Sequence, residues 1–389
     1  MSRQKKTFFN RRPRGGDFLA VLLLLAFIGG FGWFWWQEKH PAKTVPKKIR
    51  VPMQVVEKVA PPPKVQPVEA KSVLPPKGQS AESKPAPPVL PAPAPAVQQP
   101  SADFPRPVRD VFEAQVALAR RAISPGSIDA AIGSQTRAAI TAFQRAQNLS
   151  PTGSLDTNTR PLLMLDGPPL TAYTVTTNDL ARLQPIGKTW LEKSQQTALD
   201  YETVLELVAE KAHAFPTLIR QLNPGLDWTN IPAGTVLKIP VVAYPKPGGK
   251  AAFVVIHLSA KFLEAFDVET NLLLHCPCSI AAKVEKRPVG ELHVAVVAPD
   301  PNYTFDPAVF PESPEAQALG RKLILPPGPN NPVGLAWIGL DKPGYGMHGT
   351  PGPEQVGRTE SHGCFRLANW DAEYLLKLAW IGMPVRVEP

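Results

Sequence analysis

The segment Ser361-His362-Gly363-Cys364-Phe365-Arg366 decides how this chain of 389 residues is interpreted. A second His-Gly pair, in His348-Gly349-Thr350, precedes the cysteine by sixteen positions (364 − 348). A cysteine attacks a carbonyl as the thiolate, and a neighbouring imidazole is the usual group that removes the thiol proton near neutral pH. Glycines beside these residues let backbone N–H groups approach a developing oxyanion. The two segments together predict a cysteine acyl-transfer enzyme.

The composition of the chain limits the other classes of function. Single hydrophobic cores rarely grow beyond about 250–300 residues, so the length predicts several domains. The formal charge of +9 comes mostly from the N-terminal segment and a Pro/Lys-rich stretch, which argues against a basic nucleic-acid-binding face on a folded domain. With three cysteines the chain is not a disulfide scaffold. No nucleic-acid partner and no cofactor are expected.

The N-terminal region predicts a membrane anchor. Residues 18–36 form a nearly unbroken apolar run, long enough as a helix to span about 30 Å of hydrocarbon. Tryptophans crowd its far end, and the basic residues of segment 1–17 favour a cytoplasmic N-terminus. A cleaved signal peptide is the alternative, but the run is long for one and no Ala-x-Ala-like cleavage site follows. We therefore expect a single-pass protein of the cell membrane whose later domains lie outside the cytoplasm.

Residues 37–105 are predicted to be a linker. They are dominated by Pro, Ala, Val and Lys and show neither a helical nor a strand period. Such composition favours a semi-rigid polyproline-type spacer. It would hold the folded domains away from the membrane.

Residues 106–168 are predicted to form a small helical domain. Ser134 is placed to cap a helix in which Thr136, Ile140 and Phe143 share one face. The order of residues in this segment resembles the helical peptidoglycan-binding module found beside many wall enzymes, although Ala130 stands where that family usually has glycine. The marks that carry the resemblance are Gly126-Ser127-Ile128-Asp129, Ile132-Gly133, Thr136, Ala139-Ile140, Phe143-Gln144, Leu149, Gly153, Thr159 and Leu162. A small helical bundle without a ligand is the alternative.

Residues 171–242 are predicted to form an α+β domain. A strand begins at Tyr173-Thr174-Val175, a helix lies near 201–212, and a closing strand lies within 231–240. These ends resemble a LysM glycan-binding module with an insertion after its first strand. A spacer domain that only orients the enzyme is the alternative.

Residues 251–389 are predicted to form a mostly-β domain. Short apolar strands at 252–258, 262–266, 272–274, 292–297 and 385–387 are separated by turns rich in Pro and Gly, which favours a sandwich or barrel-like fold. One late helix is expected, because Ala372, Leu375, Leu376 and Ala379 line one side and Gly382 follows as a stop.

This last domain contains a series of motifs in one order: Arg287-Pro288-Val289-Gly290-Glu291, Asn331-Pro332-Val333-Gly334, Trp337-Ile338-Gly339-Leu340, Gly346-Met347-His348-Gly349-Thr350 and Ser361-His362-Gly363-Cys364-Phe365-Arg366-Leu367. In this series it resembles the L,D-transpeptidase family with its YkuD-type catalytic domain. It implies that Cys364 attacks the carbonyl between a meso-diaminopimelate and the terminal D-Ala of a peptidoglycan stem. An amine of a second stem would then resolve the thioester and leave a 3→3 cross-link.

The resemblance also implies roles for the surrounding residues. His348 would be the base, and the carbonyl of Gly349 would hold its other ring nitrogen. The backbone N–H groups of Gly363 and Cys364 would form the oxyanion hole. Substrate binding is expected from a further set: Ser361, His362, Arg366, Trp337 and Tyr345. Carbapenems resemble the acyl donor and are expected to acylate Cys364.

The other cysteines have plainer interpretations. Cys276 and Cys278 are expected to be packed strand residues, since a bond between positions i and i+2 would be strained. A zinc site from His275, Cys276, Cys278, His362 and Cys364 is the competing interpretation. It conflicts with strand alternation, which turns His275 away from the two cysteines, so no metal is expected.

Two rival functions remain at this point. The same thioester could pass to water, which would make the enzyme an L,D-carboxypeptidase or a wall hydrolase. Alternatively, the chain could be a non-catalytic protein that anchors the membrane to the wall. The presence of both His348 and Cys364 argues against a binding role alone.

Overall fold

A computed structural model describes residues 103–310, 312–359, 361 and 363–389. The predicted cytoplasmic tail 1–17, the membrane span 18–36 and nearly all of the linker 37–105 lie outside these residues. Among the helices of the described ranges, none combines the length and the apolar character that crossing a bilayer requires. The anchor and the linker therefore stay predictions.

The first domain is built on two helices and a small pair of strands. Helix α1 (Val111–Ala119) begins where the Asp110 carboxylate accepts from the Glu113 N–H, and it packs on helix α2 (Ser134–Ala146). Strands β1 (Arg106–Pro107) and β2 (Met164–Leu165) pair antiparallel beside them. This is the predicted helical domain.

Two local details of the first domain bear on its predictions. Thr136, Ile140 and Phe143 are buried on one face of α2, as predicted. The prediction that Ser134 caps this helix is wrong, because the N-cap is Gly133 and Ser134 is already helical, leaving the helix without a side-chain cap. Ala130 has a φ of 61°, so the turn keeps a left-handed residue there without glycine.

The second domain has two terminal strands with helices between them. Strands β3 (Leu170–Thr174) and β4 (Val236–Pro240) pair antiparallel. The intervening helices are α3 (Thr177–Ala181), α4 (Trp190–Gln195), α5 (Val204–Lys211) and α6 (Pro216–Leu222). Helix α5 is the one predicted near 201–212, and α4 lies in the predicted insertion.

The third domain contains a mixed sheet of eight strands. These are β5 (Phe253–His257), β6 (Phe262–Phe266), β7 (Leu272–Pro277), β8 (Gly290–Pro299), β11 (Ala336–Leu340), β12 (Gly346–His348), β13 (Phe365–Arg366) and β14 (Pro384–Glu388). Their order is β13-β12-β11-β8-β14-β5-β6-β7, with β14–β5 and β12–β13 parallel and the rest antiparallel. The mostly-β prediction is confirmed.

The two edges of this sheet approach each other. Ser279, just after edge strand β7, forms a bridge with Arg366 of the opposite edge strand, and Ala281 forms one with Ser361. These bridges favour the barrel-like alternative over an open sandwich. Helix α8 (Asn369–Leu378) covers the sheet with Ala372 and Leu375 fully buried, as the apolar spacing predicted. Three short 3₁₀ helices lie in the loops: Val284–Lys286, Pro307–Val309 and Pro353–Gln355.

A smaller lobe, not predicted from the sequence, stands between β8 and β11. It consists of β9 (Tyr303–Phe305), α7 (Pro314–Leu319) and β10 (Leu323–Leu325), and α4 of the second domain packs against it. We call these four elements the hairpin lobe. Its separate hydrophobic cluster contains Leu199, Phe305, Ala316, Leu323 and Leu325. The insertion of the second domain is therefore part of the structure around the third.

Candidate active site

The parallel pair β12–β13 brings the two His-Gly segments together. Its register pairs Met347 with Phe365 and His348 with Arg366, so Cys364 lies opposite Gly346. Side chains alternate between the faces of a strand, which puts His348, Cys364 and Arg366 on one face. The sixteen-position separation in sequence is thus closed by one strand pairing.

His348 is held in a defined tautomer. Its Nδ1 lies 2.6 Å from the Gly349 carbonyl oxygen, which can only accept, so Nδ1 donates and Nε2 carries the free lone pair. The side chain is 6% exposed, and this burial lowers the pKa of His348 to about 4, helped by the Arg366 charge and opposed by the Gly349 hydrogen bond. The ring is therefore a neutral acceptor at neutral pH. The hydrogen bond expected between His348 and Gly349 is present.

Cys364 rests as a neutral thiol. Burial raises the pKa of Cys364 to about 11, although a backbone hydrogen bond from Gly346 and the charge of Arg366 act in the opposite direction. The thiol donates to the Gly344 carbonyl over 3.3 Å. Because the thiol rests uncharged, its attack on a carbonyl needs proton transfer to a base, which is general-base catalysis rather than attack by a resting thiolate.

The turn that carries the Gly349 carbonyl is fixed by a buried asparagine. Asn369, at the start of α8, accepts from the Thr350 N–H at 2.9 Å and the Leu335 N–H at 3.3 Å. A Cβ on Gly349 would come within 2.2 Å of the Asn369 Oδ1 atom. Glycine is therefore required at 349 by close approach.

One of the two predicted oxyanion donors, the Gly363 N–H, has a partner in the resting structure. The Gly363 N–H donates to the Ser361 hydroxyl at 3.3 Å, a long hydrogen bond. Ser361 itself is buried and donates to the Cys364 carbonyl at 2.6 Å. Ser361 thus fixes the backbone at Gly363 and Cys364, and the substrate contact predicted for it stays a prediction.

The remaining predicted binding residues lie around the thiol. Arg366 is partly buried and donates to the Thr359 hydroxyl at 3.4 Å. Trp337 pairs with His348 across β11–β12, with ring centroids 5.7 Å apart. Tyr345 has its ring beside Gly363. His362 lies outside the described residues, so its predicted role stays a prediction.

Two residues near the thiol were not singled out from the sequence. Gly346 supplies the backbone hydrogen bond to sulfur that lowers the pKa of Cys364. Burial raises the pKa of Tyr303, on β9 of the hairpin lobe, and the Cys364 sulfur, once ionised, acts in the same direction. The glycine sits in a quoted motif, but nothing in the sequence around Tyr303 signals this link to the thiol.

Cys276 and Cys278 are fully buried free thiols on and after β7. Burial raises the pKa of both. This agrees with the prediction of packed strand residues. Within the described residues, no group of three or more His, Cys, Asp or Glu side chains is arranged to hold a metal ion.

Comparison with protein families matches two parts of the chain. Residues 251–387 match the YkuD model, described as an L,D-transpeptidase catalytic domain. Residues 108–163 match a model described as "Putative peptidoglycan binding domain".

Curated relatives carry the same family name. The chain is 25% identical over 185 residues to "Putative L,D-transpeptidase YkuD" of Bacillus licheniformis, covering 48% of this chain and 93% of that protein. It is 27% identical over 186 residues to "Probable L,D-transpeptidase YcfS" of Escherichia coli, covering 47% and 58%.

Solved structures with the same family name are also similar. An L,D-transpeptidase from Mycobacterium smegmatis is 19% identical, with a TM-score of 0.29, covering 41% of this chain and 76% of that one. L,D-transpeptidase 3 from Mycobacterium tuberculosis, in complex with a faropenem-derived adduct, is 18% identical with a TM-score of 0.29 and the same coverage. On the family matches and the curated relatives, the chain contains an L,D-transpeptidase catalytic domain of the YkuD family, preceded by a peptidoglycan-binding domain.

Proposed function

We propose that this L,D-transpeptidase acts on peptidoglycan stem peptides through a thioester on Cys364. The Cys364 sulfur bonds to the carbonyl carbon between meso-diaminopimelate and the terminal D-Ala. The bond from that carbon to the D-Ala nitrogen then breaks, and D-Ala leaves with a proton. An amine of a second stem attacks the thioester, the C–S bond breaks, and a 3→3 cross-link remains.

The observation that carries this proposal is the fixed tautomer of His348. Because Nδ1 donates to the Gly349 carbonyl at 2.6 Å, Nε2 is the ring nitrogen left to receive a proton. The strand register puts the His348 and Cys364 side chains on one face of the β12–β13 pair. His348 takes the thiol proton as the sulfur attacks and returns it to the leaving amine.

The developing oxyanion needs backbone donors close to sulfur. The N–H groups of Gly363 and Cys364 serve this role, which requires the Gly363 N–H to leave its long hydrogen bond to Ser361. Arg366 binds a substrate carboxylate, since its guanidinium offers a bidentate fork on the same face as Cys364. Trp337 and Tyr345 line the rest of the cleft, and the substrate-binding role of His362 stays a prediction from the sequence.

The domains before the catalytic one position the enzyme at the wall. The peptidoglycan-binding domain holds the glycan, and the domain at 171–242 is LysM-like because helices lie between its two paired terminal strands. The apolar run 18–36 anchors the chain in the cell membrane with these domains outside the cytoplasm.

Carbapenems are proposed as covalent inhibitors. Their strained amide presents a carbonyl to the same nucleophile, so the thiol opens the ring and stays acylated. Cys276 and Cys278 are not acylated, because both are fully buried.

Product analysis distinguishes this proposal from its rivals. The full chain and Cys364→Ala are incubated with purified disaccharide-tetrapeptides, and the products are identified by mass spectrometry. Cross-linked dimers and free D-Ala, both absent with the variant, are the expected result. Tripeptide without dimers would make water the acceptor, as in a carboxypeptidase. Wall binding without any product would support the anchoring protein.

A further inference from the structure

A groove separates helix α2 of the peptidoglycan-binding domain from the outer face of the catalytic sheet. It has a volume of about 360 Å³. The helical side contributes Ser127 and the first residues of α2, and the catalytic side contributes Lys261, His275 and Arg358. None of these residues belongs to the thiol site.

Two buried polar atoms of this groove have no hydrogen-bond partner among the residues that the structure describes. They are Ser127 Oγ and His275 Nε2, and the two residues are 8% and 1% exposed. An unpaired buried polar atom costs about 1–3 kcal/mol, so native structures normally satisfy it with protein, water or ligand. Ser127 belongs to the first domain, and His275 belongs to the third.

The kind of ligand group that His275 needs follows from its other nitrogen. Nδ1 lies 3.0 Å from Glu264 Oε1. Burial raises the pKa of Glu264, but hydrogen bonds from His257 and His275 and the Arg145 charge outweigh it and lower the value to about 2. An ionised carboxylate can only accept, so Nδ1 donates and Nε2 is a bare acceptor. It requires a ligand O–H or N–H.

The mouth of the groove, in contrast to the acceptor atom of His275, offers N–H donors and positive charge. Helix α2 is 13 residues long and starts there at Gly133 without a side-chain cap, so its first N–H groups face this end. Lys261 and Arg358 add two cations. The nearby Asp129 carboxylate accepts from the Gln115 side chain and the Ala131 N–H, and it lies 3.9 Å from Arg358. The charge balance favours an anion.

We infer that this groove is a second binding site for a ligand with a carboxylate beside hydroxyl or amide groups. A muropeptide has this chemistry, since its stem ends in carboxylates and its sugars carry hydroxyls. The carboxylate lies at the α2 N-terminus with Lys261 and Arg358, and an O–H or N–H of the ligand donates to His275 Nε2. Only the identity of the ligand rests on the proposed function.

The groove is also connected to the segment that leads to the nucleophile. Arg358 and Gly357 lie between β12 and β13, and the Gln135 side chain of α2 donates to the Val356 carbonyl at 2.6 Å. The Gly357 N–H donates to the Ser279 hydroxyl at 2.8 Å. A strand of peptidoglycan bound in the groove is therefore held by both domains beside the catalytic loop.

The test uses the full chain carrying Cys364→Ala, so that no turnover occurs. A disaccharide-tripeptide, which lacks the D-Ala leaving group, is added, and hydrogen exchange and calorimetric affinity are measured. We expect protection of segments 125–138 and 257–262, with affinity reduced about tenfold or more when Lys261→Gln and Arg358→Gln are added. Lys188→Gln, at an exposed lysine of the second domain, should leave affinity unchanged.

Three results would overturn the inference. One is protection confined to peptides around Cys364, and another is protection that persists unchanged in the double variant. The third is equal protection by neutral chitobiose, which would remove the carboxylate from the recognition. A Lys261→Gln/Arg358→Gln chain that keeps Cys364 is the folding control, and its retained acylation by a carbapenem shows that the two substitutions leave the chain folded. Since cross-linking is measured separately, failure here leaves the proposed function standing.

Discussion

Gly349 matters both for the close packing of the site and for the position of His348. Its carbonyl fixes His348, and a Cβ there would contact Asn369 Oδ1 at 2.2 Å and Gly334 Cα at 3.2 Å. We expect Gly349→Ala to lower the free energy of unfolding by roughly 1–3 kcal/mol, as overpacking does, and to reduce kcat because the carbonyl shifts. Urea denaturation and a cross-linking assay measure the two effects.

Gly352→Ala is the matched control, because a Cβ at 352 meets nothing closer than 3.5 Å. It should change both quantities little. If the two substitutions have equal effects, the tight packing of Gly349 against Asn369 does not matter for the site.

The protonation states of His348 and Cys364 predict an unusual pH profile. With a His348 pKa near 4 and a Cys364 pKa near 11, the neutral pair persists between these values. Acylation by a carbapenem should therefore be nearly independent of pH between about 5 and 9. In His348→Ala only the thiolate reacts, so the rate should rise about tenfold per pH unit from 7 to 9. Stopped-flow acylation rates measure both slopes.

His293→Ala serves as the control, since the His293 side chain is 45% exposed and pairs with Asp341. It should keep the flat profile. A flat profile in His348→Ala as well would mean that another group takes the proton.

The sequence indicates the reacting residues but not the residues that hold them in position. The two His-Gly pairs and Cys364 are recognisable because the chemistry needs those residue types beside glycine. Asn369 is not recognisable, since its role depends on a contact with a turn nineteen positions earlier (369 − 350). The capping of α2 by Ser134 was predicted wrongly because Gly133 starts the helix.

At the scale of elements, the hairpin lobe depends on helix α4. The Trp190 ring stacks on Phe305 with centroids 4.4 Å apart, and the backbone N–H of Trp190 donates to the Glu315 carboxylate at 2.5 Å. Tyr303, whose pKa is raised by burial and by an ionised Cys364, lies on the same strand as Phe305. The second domain therefore braces the strand that carries Tyr303.

We expect Trp190→Ala to loosen the lobe because it removes a stacked ring from a small hydrophobic cluster. Hydrogen exchange in segments 303–310 and 312–325 should accelerate by an order of magnitude or more, equivalent to a local loss of about 2 kcal/mol. The kcat/KM for stem peptides should fall, while the global unfolding transition changes less.

Trp380→Ala is the control. Trp380 lies outside this cluster, and its indole N–H donates a hydrogen bond to the Ala251 carbonyl. It should leave exchange in the lobe unchanged. The bracing role is contradicted if Trp190→Ala also leaves that exchange unchanged.

The strands of the main sheet were predictable from short apolar runs, and five of them lie where the sequence places them. The hairpin lobe was not predictable, because β9 and β10 have three residues each and Pro-rich segments surround them. Their pairing depends on burial against α4, which is more than a hundred positions earlier in the chain. Local patterns carry no information about such a contact.

At the scale of the whole molecule, buried carboxyls join the domains. Asp371 of α8 accepts from Ser124 of the first domain at 3.1 Å and from Tyr244 at 2.5 Å. Glu210 of the second domain accepts from Asn369 of the third at 3.1 Å. Burial raises the pKa of Asp371 to about 7 and that of Glu210 to about 8, in each case against hydrogen bonds that lower it.

These raised values predict how stability depends on pH. The unfolded chain loses both protons near pH 4, whereas the folded chain keeps them until pH 7 to 8. The stabilisation is therefore complete below about pH 4 and is lost as pH rises to 8, by up to about 1.4 kcal/mol per pH unit for each carboxyl. Asp371→Asn removes the contribution of Asp371, so the slope of the unfolding free energy against pH should become more positive by up to about 1.4 kcal/mol per pH unit between pH 5 and 7.

The buried histidines change the stability with pH in the opposite direction. Burial lowers the pKa of His213 to about 3 and that of His348 to about 4, so stability is lost as pH falls below about 6.5.

Glu269→Gln, at an exposed turn residue, is the control for Asp371→Asn and should leave the dependence of stability on pH unchanged. An unaltered slope in Asp371→Asn would contradict the raised pKa of Asp371.

The domain order and the family resemblance of the third domain could be predicted, because they rest on composition shifts and ordered motifs. The contacts between domains could not, since each pairs residues from distant segments such as Ser124 and Asp371. The anchor at 18–36 stays a prediction from apolar length alone.

The most direct test of the central claim is to trap the acyl-enzyme. The full chain is mixed with a disaccharide-tetrapeptide at limiting time, quenched in acid, and analysed by intact mass and peptide mapping. The account predicts an added mass equal to the disaccharide-tripeptide acyl group on Cys364, with one D-Ala released per adduct and no adduct in Cys364→Ala. Product formation without such an adduct, or an adduct on Cys276 or Cys278, would contradict it.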